Sequence, residues 1–179
     1  MIKVRPANHR DAAFIADVYS PFVEESWTSF ETHAPGAEDV AQRITDAGTL
    51  YPWLIAENES GPLAYAYASP HRSRQAYITS VDTTVYCAAA ARGRGVGRAL
   101  YSKLLEVLIK QNYVSAFAGS ALPNDASIAL HRRVGFSLIG TYPNVGYKHG
   151  QWRDTQWWHC PLVTCVEPPA PILPYTGFI

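Results

Sequence analysis

Apolar positions along the chain change their period several times, and each change predicts an element. Ile2 and Val4 alternate with polar neighbours and run into Arg5-Pro6, which predicts a strand and a turn. Beyond Asn8 and His9, the residues Phe14, Ile15, Val18, Tyr19 and Phe22 share one face of a helix. Residues 37–47 predict a weaker second helix, closed by Gly48. Residues 52–57 read as a short apolar strand, 58–61 as turn chemistry, and 63–68 as the returning arm of a hairpin. A polar, basic loop covers 70–75, and the Thr, Val and Tyr of 77–87 favour another strand. Val96, Leu100, Leu104 and Leu108 then recur every fourth residue, with Ser102, Lys103, Glu106 and Lys110 opposite them. That pattern predicts an amphipathic helix over 96–110. A strand over 115–122 is broken at Pro123, and a short helix over 124–134 ends at Gly135, a natural left-handed cap. Two aromatic segments, 142–148 and 156–162, supply the last strands, and five prolines from Pro161 onward mark an irregular tail.

This order predicts a mixed α/β fold, a central twisted mixed sheet with helices on both faces. The 179 residues suit one domain, read here as residues 1–162 followed by a proline-rich tail over 163–179. Composition narrows the class. The hydrophobic share is 47% and the charged share 17%, so a packed core is expected rather than disorder. Fifteen basic and fifteen acidic residues give a net charge of zero without a basic stripe, which argues against a nucleic-acid partner. No stretch approaches the ~20 apolar residues that span a bilayer, and the first residues turn polar too soon for a secretory signal. Cys87, Cys160 and Cys165 form no CxxC and no even framework, so free thiols in a cytoplasmic protein are expected. His159 beside Cys160 and Cys165 has poor spacing for a metal, and none is expected.

The sharpest chemical signal is Arg92-Gly93-Arg94-Gly95-Val96-Gly97, between a predicted strand and a predicted helix. A helix start offers unpaired N–H groups and the positive end of its dipole. Glycines admit a diphosphate close to that backbone, and arginines add charge. The loop is not GxGxxG, because Arg98 stands where the last glycine belongs, and no Gly-Lys-Ser/Thr makes it a Walker loop. A flexible glycine turn with solvated arginines is the bland alternative.

With Arg92, Gly95 and Gly97 in the order Arg-x-x-Gly-x-Gly, the chain resembles the GNAT superfamily of acetyltransferases. A second element, Asn124, Ser127, Leu130, Gly135 and Phe136, fits the same family. Segments 67–77, 121–127 and 146–154, with Trp157-Trp158, look like the phosphinothricin and methionine sulfone N-acetyltransferases within it. The resemblance implies a GNAT-like sheet splayed into a cleft for acetyl-coenzyme A (acetyl-CoA), which is a co-substrate. Backbone groups of Val85, Tyr86 and Cys87 would pair with its pantetheine arm. Arg92, Gly93, Arg94, Gly95, Val96, Gly97 and Arg98 would hold the pyrophosphate, with Asn124 and Ser127 also at the cofactor. A homodimer and a small amino-acid acceptor are implied as well.

An ammonium has no lone pair, so an amine acceptor must lose a proton before it attacks a thioester; the oxyanion and the departing thiolate then need donors. Asp82 is the candidate base, directly or through water; the family carries an acidic residue here, usually Glu. His131 is the second candidate, where many relatives carry Tyr as acid to the thiolate; a structural histidine is the alternative. Arg72 and Arg74 suit carboxylate or phosphinate oxygens, and the resemblance puts them at the acceptor with Gln75, Tyr77 and Phe30. Solvated loop charge is the plain alternative for the arginines. Trp152, Trp157 and Trp158 read as core or dimer contacts. The expected activity is acetyl transfer to phosphinothricin, methionine sulfone or methionine sulfoximine. Another amine, a protein N-terminus or a non-catalytic acyl-CoA-binding module are the alternatives.

Overall fold

The computed structural model describes residues 2–178. In chain order the elements are β1 (Lys3–Pro6), α1 (Ala12–Glu24), α2 (Ala37–Ala47), β2 (Trp53–Asn58), β3 (Gly61–Pro70) and β4 (Ser80–Cys87). They continue with α3 (Val96–Lys110), β5 (Ser115–Ala121), α4 (Asp125–Arg133), β6 (Ser137–Lys148) and β7 (Gln151–Pro161). Among the described residues seven strands form one sheet in the order β1-β2-β3-β4-β5-β7-β6, and every neighbour is antiparallel except β4 with β5.

The expected mixed sheet with two covered faces is present. On one face α3 buries Leu100, Tyr101, Leu104 and Leu108 against Leu54, Ala66, Val81 and Ala116. On the other, Ile15, Tyr19 and Val23 of α1 and Val40 of α2 pack on Trp53, Ile55 and Tyr65. Side chains alternate between faces along a strand, so a strand covered on both sides needs an unbroken apolar run. Residues 53–56 of β2 are that run, all four buried. Each leucine removed from water contributes about 1.5–3 kcal/mol, which makes the α3 stripe the main anchor of its layer.

Polar contacts fix the entry of the chain. Arg5 donates to Asp11 through both terminal nitrogens, at 2.8 and 2.7 Å, and to Glu57 at 2.8 Å. Burial would raise the Asp11 carboxyl, but the Arg5 guanidinium and the Asn8 N–H more than offset it and hold it below its ordinary value.

Three strand starts differ from expectation. Tyr77 is not in the fourth strand: Gln75–Tyr77 is a single 3-10 turn, its Tyr77 N–H bonded to Arg74 O, and the ladder starts at Ser80. The last two strands begin earlier than expected, at Ser137 and Gln151. β6 is an edge strand exposed along most of its length, so burial imposes no alternation that the sequence would display. The tail returns to its own domain. Leu173 N–H reaches Gln111 O, the Gln111 side chain reaches Leu173 O, and Tyr175 N–H reaches Thr49 O.

Candidate active site

The site begins where the sheet parts. β4 and β5 pair only from Ser80–Ser115 to Asp82–Phe117. Beyond that rung the strands diverge, and the Thr83 hydroxyl spans the start of the gap by donating to Phe117 O at 3.0 Å. The far edge of β4 stays paired to β3 through Cys87, so Val85, Tyr86 and Cys87 keep an ordered backbone beside an open gap.

A cleft of about 470 Å³ opens there. Val85, Tyr86 and Cys87 form one wall; Arg92, Gly93, Gly95, Val96, Gly97 and Arg98 form its end; Asn124 and Ser127 face them from α4. Gly93 and Gly95 hold φ of 72° and 78°, the left-handed region that side-chain-bearing residues avoid. Gly97 has a different reason: a Cβ there would meet Cys87 Sγ at 3.0 Å. The start of α3 has no side-chain cap, and its first N–H bonded within the helix is Ala99 to Gly95 O. The N–H groups of Val96, Gly97 and Arg98 are therefore available to an anion. Asn124 caps α4 by accepting Ser127 N–H on Oδ1 at 3.1 Å, which leaves its amide NH₂ for the cleft.

Arg94 is the one residue of the predicted loop that does not line the cleft; it turns away to donate to Ala90 O. Phe22, Thr28, Ala91, Ala126, Ala129, Leu130 and Arg133 line the cleft without having been singled out as site residues. Helical spacing held part of that signal, since 126, 129, 130 and 133 recur at three- and four-residue intervals and share one face of α4.

Asp82 sits on the last paired rung. Its Oδ1 lies 2.6 Å from His71 Nδ1, a contact that sequence reasoning missed. The signal is the hairpin register: Ser69 pairs with Asp82, so His71 is its diagonal neighbour two residues on. The His71 ring stacks on Phe117 with centroids 4.2 Å apart and meets the edges of Tyr77 and Trp157. Burial raises the Asp82 carboxyl; His71 and Arg72 pull it back only in part, so it stays above its ordinary value. The Arg72 guanidinium lies over Trp157 at 5.7 Å, which brings Trp157 to this site rather than to the core that holds Trp158. Trp152 is exposed. Arg74 and Gln75 occupy the exposed outer turn. Phe30 lies over Gly146 of β6, where any side chain would collide with its ring. A second cavity of about 430 Å³, lined by Arg43, Trp53, Tyr67, Ser69 and Pro70 among others, adjoins Asp82 through its partner Ser69.

His131 is on the opposite face of the sheet. It is buried among Tyr101, Phe136 and Trp158, with Nδ1 3.3 Å from Ser120 Oγ. Ser120 Oγ is 3.0 Å from Ser127 Oγ, so a hydroxyl pair connects the imidazole to the cleft. Burial lowers its pKa to about 4 and keeps the ring neutral near pH 7.

A parted sheet, an uncapped helix start and an acidic group at the fork suit a diphosphate-bearing ligand seated beside a group able to take a proton. Residues 4–157 match the family described as the acetyltransferase (GNAT) domain, and the chain belongs to that family. It is an acetyl-CoA-dependent acetyltransferase. The chain is 38% identical to a phosphinothricin N-acetyltransferase of Streptomyces coelicolor, over 90% of this chain and 96% of that protein. It is 33% identical to an L-methionine sulfoximine/L-methionine sulfone acetyltransferase of Pseudomonas aeruginosa, over 84% and 89%. The crystal structure of a GNAT superfamily phosphinothricin acetyltransferase from Sinorhizobium meliloti in complex with AcCoA superposes with a TM-score of 0.89. That structure is 32% identical in sequence and covers 97% of this chain and 98% of its own.

Proposed function

We propose that the chain transfers acetyl from acetyl-CoA to the α-amino group of a small amino acid with an oxidised side-chain head, phosphinothricin or methionine sulfone and sulfoximine. The observation that carries this reading is the pairing of an acidic group at the fork of the sheet with a guanidinium on the same side. Arg72, over Trp157, offers planar donors to a carboxylate or phosphinate. Arg74, Gln75 and Tyr77 extend that donor surface on the adjoining turn, and Phe30 closes the far side over β6.

Acetyl-CoA brings the activated acyl group, and the cleft residues fit it. The open N–H groups of α3 and the side chains of Arg92 and Arg98 hold the pyrophosphate, the free edge of β4 takes the pantetheine amides, and Asn124 and Ser127 line the opposite wall. Asp82 serves the removal of the acceptor's proton, directly or through an intermediary such as water. His131 provides a proton route to the departing sulfur through Ser120 and Ser127. The transfer is direct: burial pushes the Cys87 thiol up, and a protonated thiol is a poor nucleophile for a covalent acetyl-enzyme. Three free cysteines support a cytoplasmic location. The exposed apolar side chains Leu138, Ile139, Tyr142 and Val145 on edge strand β6, with Tyr147 and Trp152 beside them, support a homodimer.

Thiol release from acetyl-CoA against a panel of acceptors tests the reading. The panel holds phosphinothricin, methionine sulfone, methionine sulfoximine, ordinary amino acids and a peptide N-terminus. Turnover confined to the first three supports it; turnover on the peptide alone overturns it.

A further inference from the structure

The acid at the fork is an aspartate, Asp82, and one of its oxygens is already engaged. Oδ1 lies 2.6 Å from His71 Nδ1, so the imidazole stands beyond the carboxylate on the loop side. A carboxylate beside Nδ1 fixes the tautomer: the proton rests on Nδ1 and the lone pair on Nε2. Nε2 makes no hydrogen bond among the described residues, and it is not among the buried polar atoms left without a partner. The ring is held by Phe117 against one face, at 4.2 Å, and by the edges of Tyr77 and Trp157 at 5.9 and 6.2 Å. Trp157 also lies under the guanidinium of Arg72, the proposed ligand of the acceptor's acid group.

We infer that His71 is the catalytic base of this chain, its Nε2 taking the proton of the acceptor ammonium while Asp82 serves as the positioning residue at Nδ1. The inference rests on the amino-acid acceptor reading above. The ammonium gives one proton to Nε2, and His71 later passes it to water. The amine nitrogen then bonds to the acetyl carbon as the carbon–sulfur bond breaks, and the second proton of the nitrogen goes to the departing sulfur, giving amide and free coenzyme A thiol. The arrangement repeats a general logic of catalysis, a base oriented from behind by a carboxylate. The charged and titratable groups facing His71 are Asp82, Arg72 and Tyr77, with His159 stacked behind Phe117.

The test measures kcat/KM for phosphinothricin from pH 6 to 10 in the wild type and in His71→Gln, His71→Phe, His71→Gly and Asp82→Asn. Acetyl-CoA Kd is measured in parallel as the control for folding. Phe keeps the stack on Phe117, so it separates packing from proton transfer. The expected result is a loss of about 10²- to 10⁴-fold at pH 7 in His71→Gln and His71→Phe, with Kd unchanged. The deficit shrinks as pH rises and the acceptor amine becomes free in solution, and added imidazole restores part of the rate to His71→Gly. Wild-type turnover in His71→Phe, with loss only in Asp82→Asn, overturns the inference and leaves the carboxylate as sole base. So does a loss that neither pH nor imidazole relieves. A wild-type chain that turns over no amino acid removes the underlying reading, and the inference with it.

Discussion

The two sides of the parted sheet are built by different means. On the coenzyme side, the groups proposed to meet the ligand are mostly backbone: glycines at positive φ, three free N–H groups of α3 and the open edge of β4. On the acceptor side, they are side chains from separate elements, His71 and Arg72 from a loop, Asp82 from β4, Phe117 from β5 and Trp157 from β7. Backbone recognition suits a ligand whose diphosphate and amides never vary. Side-chain recognition leaves acceptor specificity open to single substitutions. The difference also separates the energetics, since α3 is anchored by a fully buried stripe while the loop over 71–79 is mostly exposed.

The largest expected effect is on chemistry. Asp82→Asn removes the negative charge behind the proposed proton acceptor and should lower kcat by about 10²- to 10⁴-fold, with acetyl-CoA Kd unchanged. Steady-state kinetics with direct coenzyme titration checks both halves.

Next comes stability against acid. His131 is neutral in the fold with a pKa of about 4, whereas an unfolded histidine titrates near 6.5. The unfolded chain therefore binds more protons between those values, and stability conferred above about pH 6.5 is lost as pH falls toward 4. The loss approaches about 3 kcal/mol. Urea unfolding from pH 7 to 4 measures it, and His131→Phe should flatten that part of the curve.

Smaller effects probe each side alone. Gly95→Ala places a Cβ at φ 78°, a strain of about 1–2 kcal/mol. Its KM for acetyl-CoA should rise several-fold while the acceptor's KM stays put. Arg72→Ala should do the reverse, raising the acceptor's KM about tenfold for a loss near 1.4 kcal/mol.

The same contrast decides how much was legible in the sequence. Residues 92–98 are contiguous and flanked by clear strand and helix periods, so the loop and its place at the head of a helix could be read from order alone. The α3 helix was visible for the same reason: one leucine stripe determines its limits and its face. The partner of Asp82 was not visible, because His71 becomes its neighbour only through hairpin register. Trp157 and Trp158 read alike in sequence, yet one points to the acceptor side and the other to the core, a difference set by strand parity. The early start of β6 was hidden because an exposed edge strand has no buried face to pattern it.

The most direct test of the account varies both substrates at once in Gly95→Ala and Arg72→Ala, and reads the two KM values separately. The account predicts that Gly95→Ala moves only the coenzyme KM and Arg72→Ala only the acceptor KM. If either substitution shifts both values alike, the two sides are not separate recognition surfaces and the division of labour drawn here is wrong.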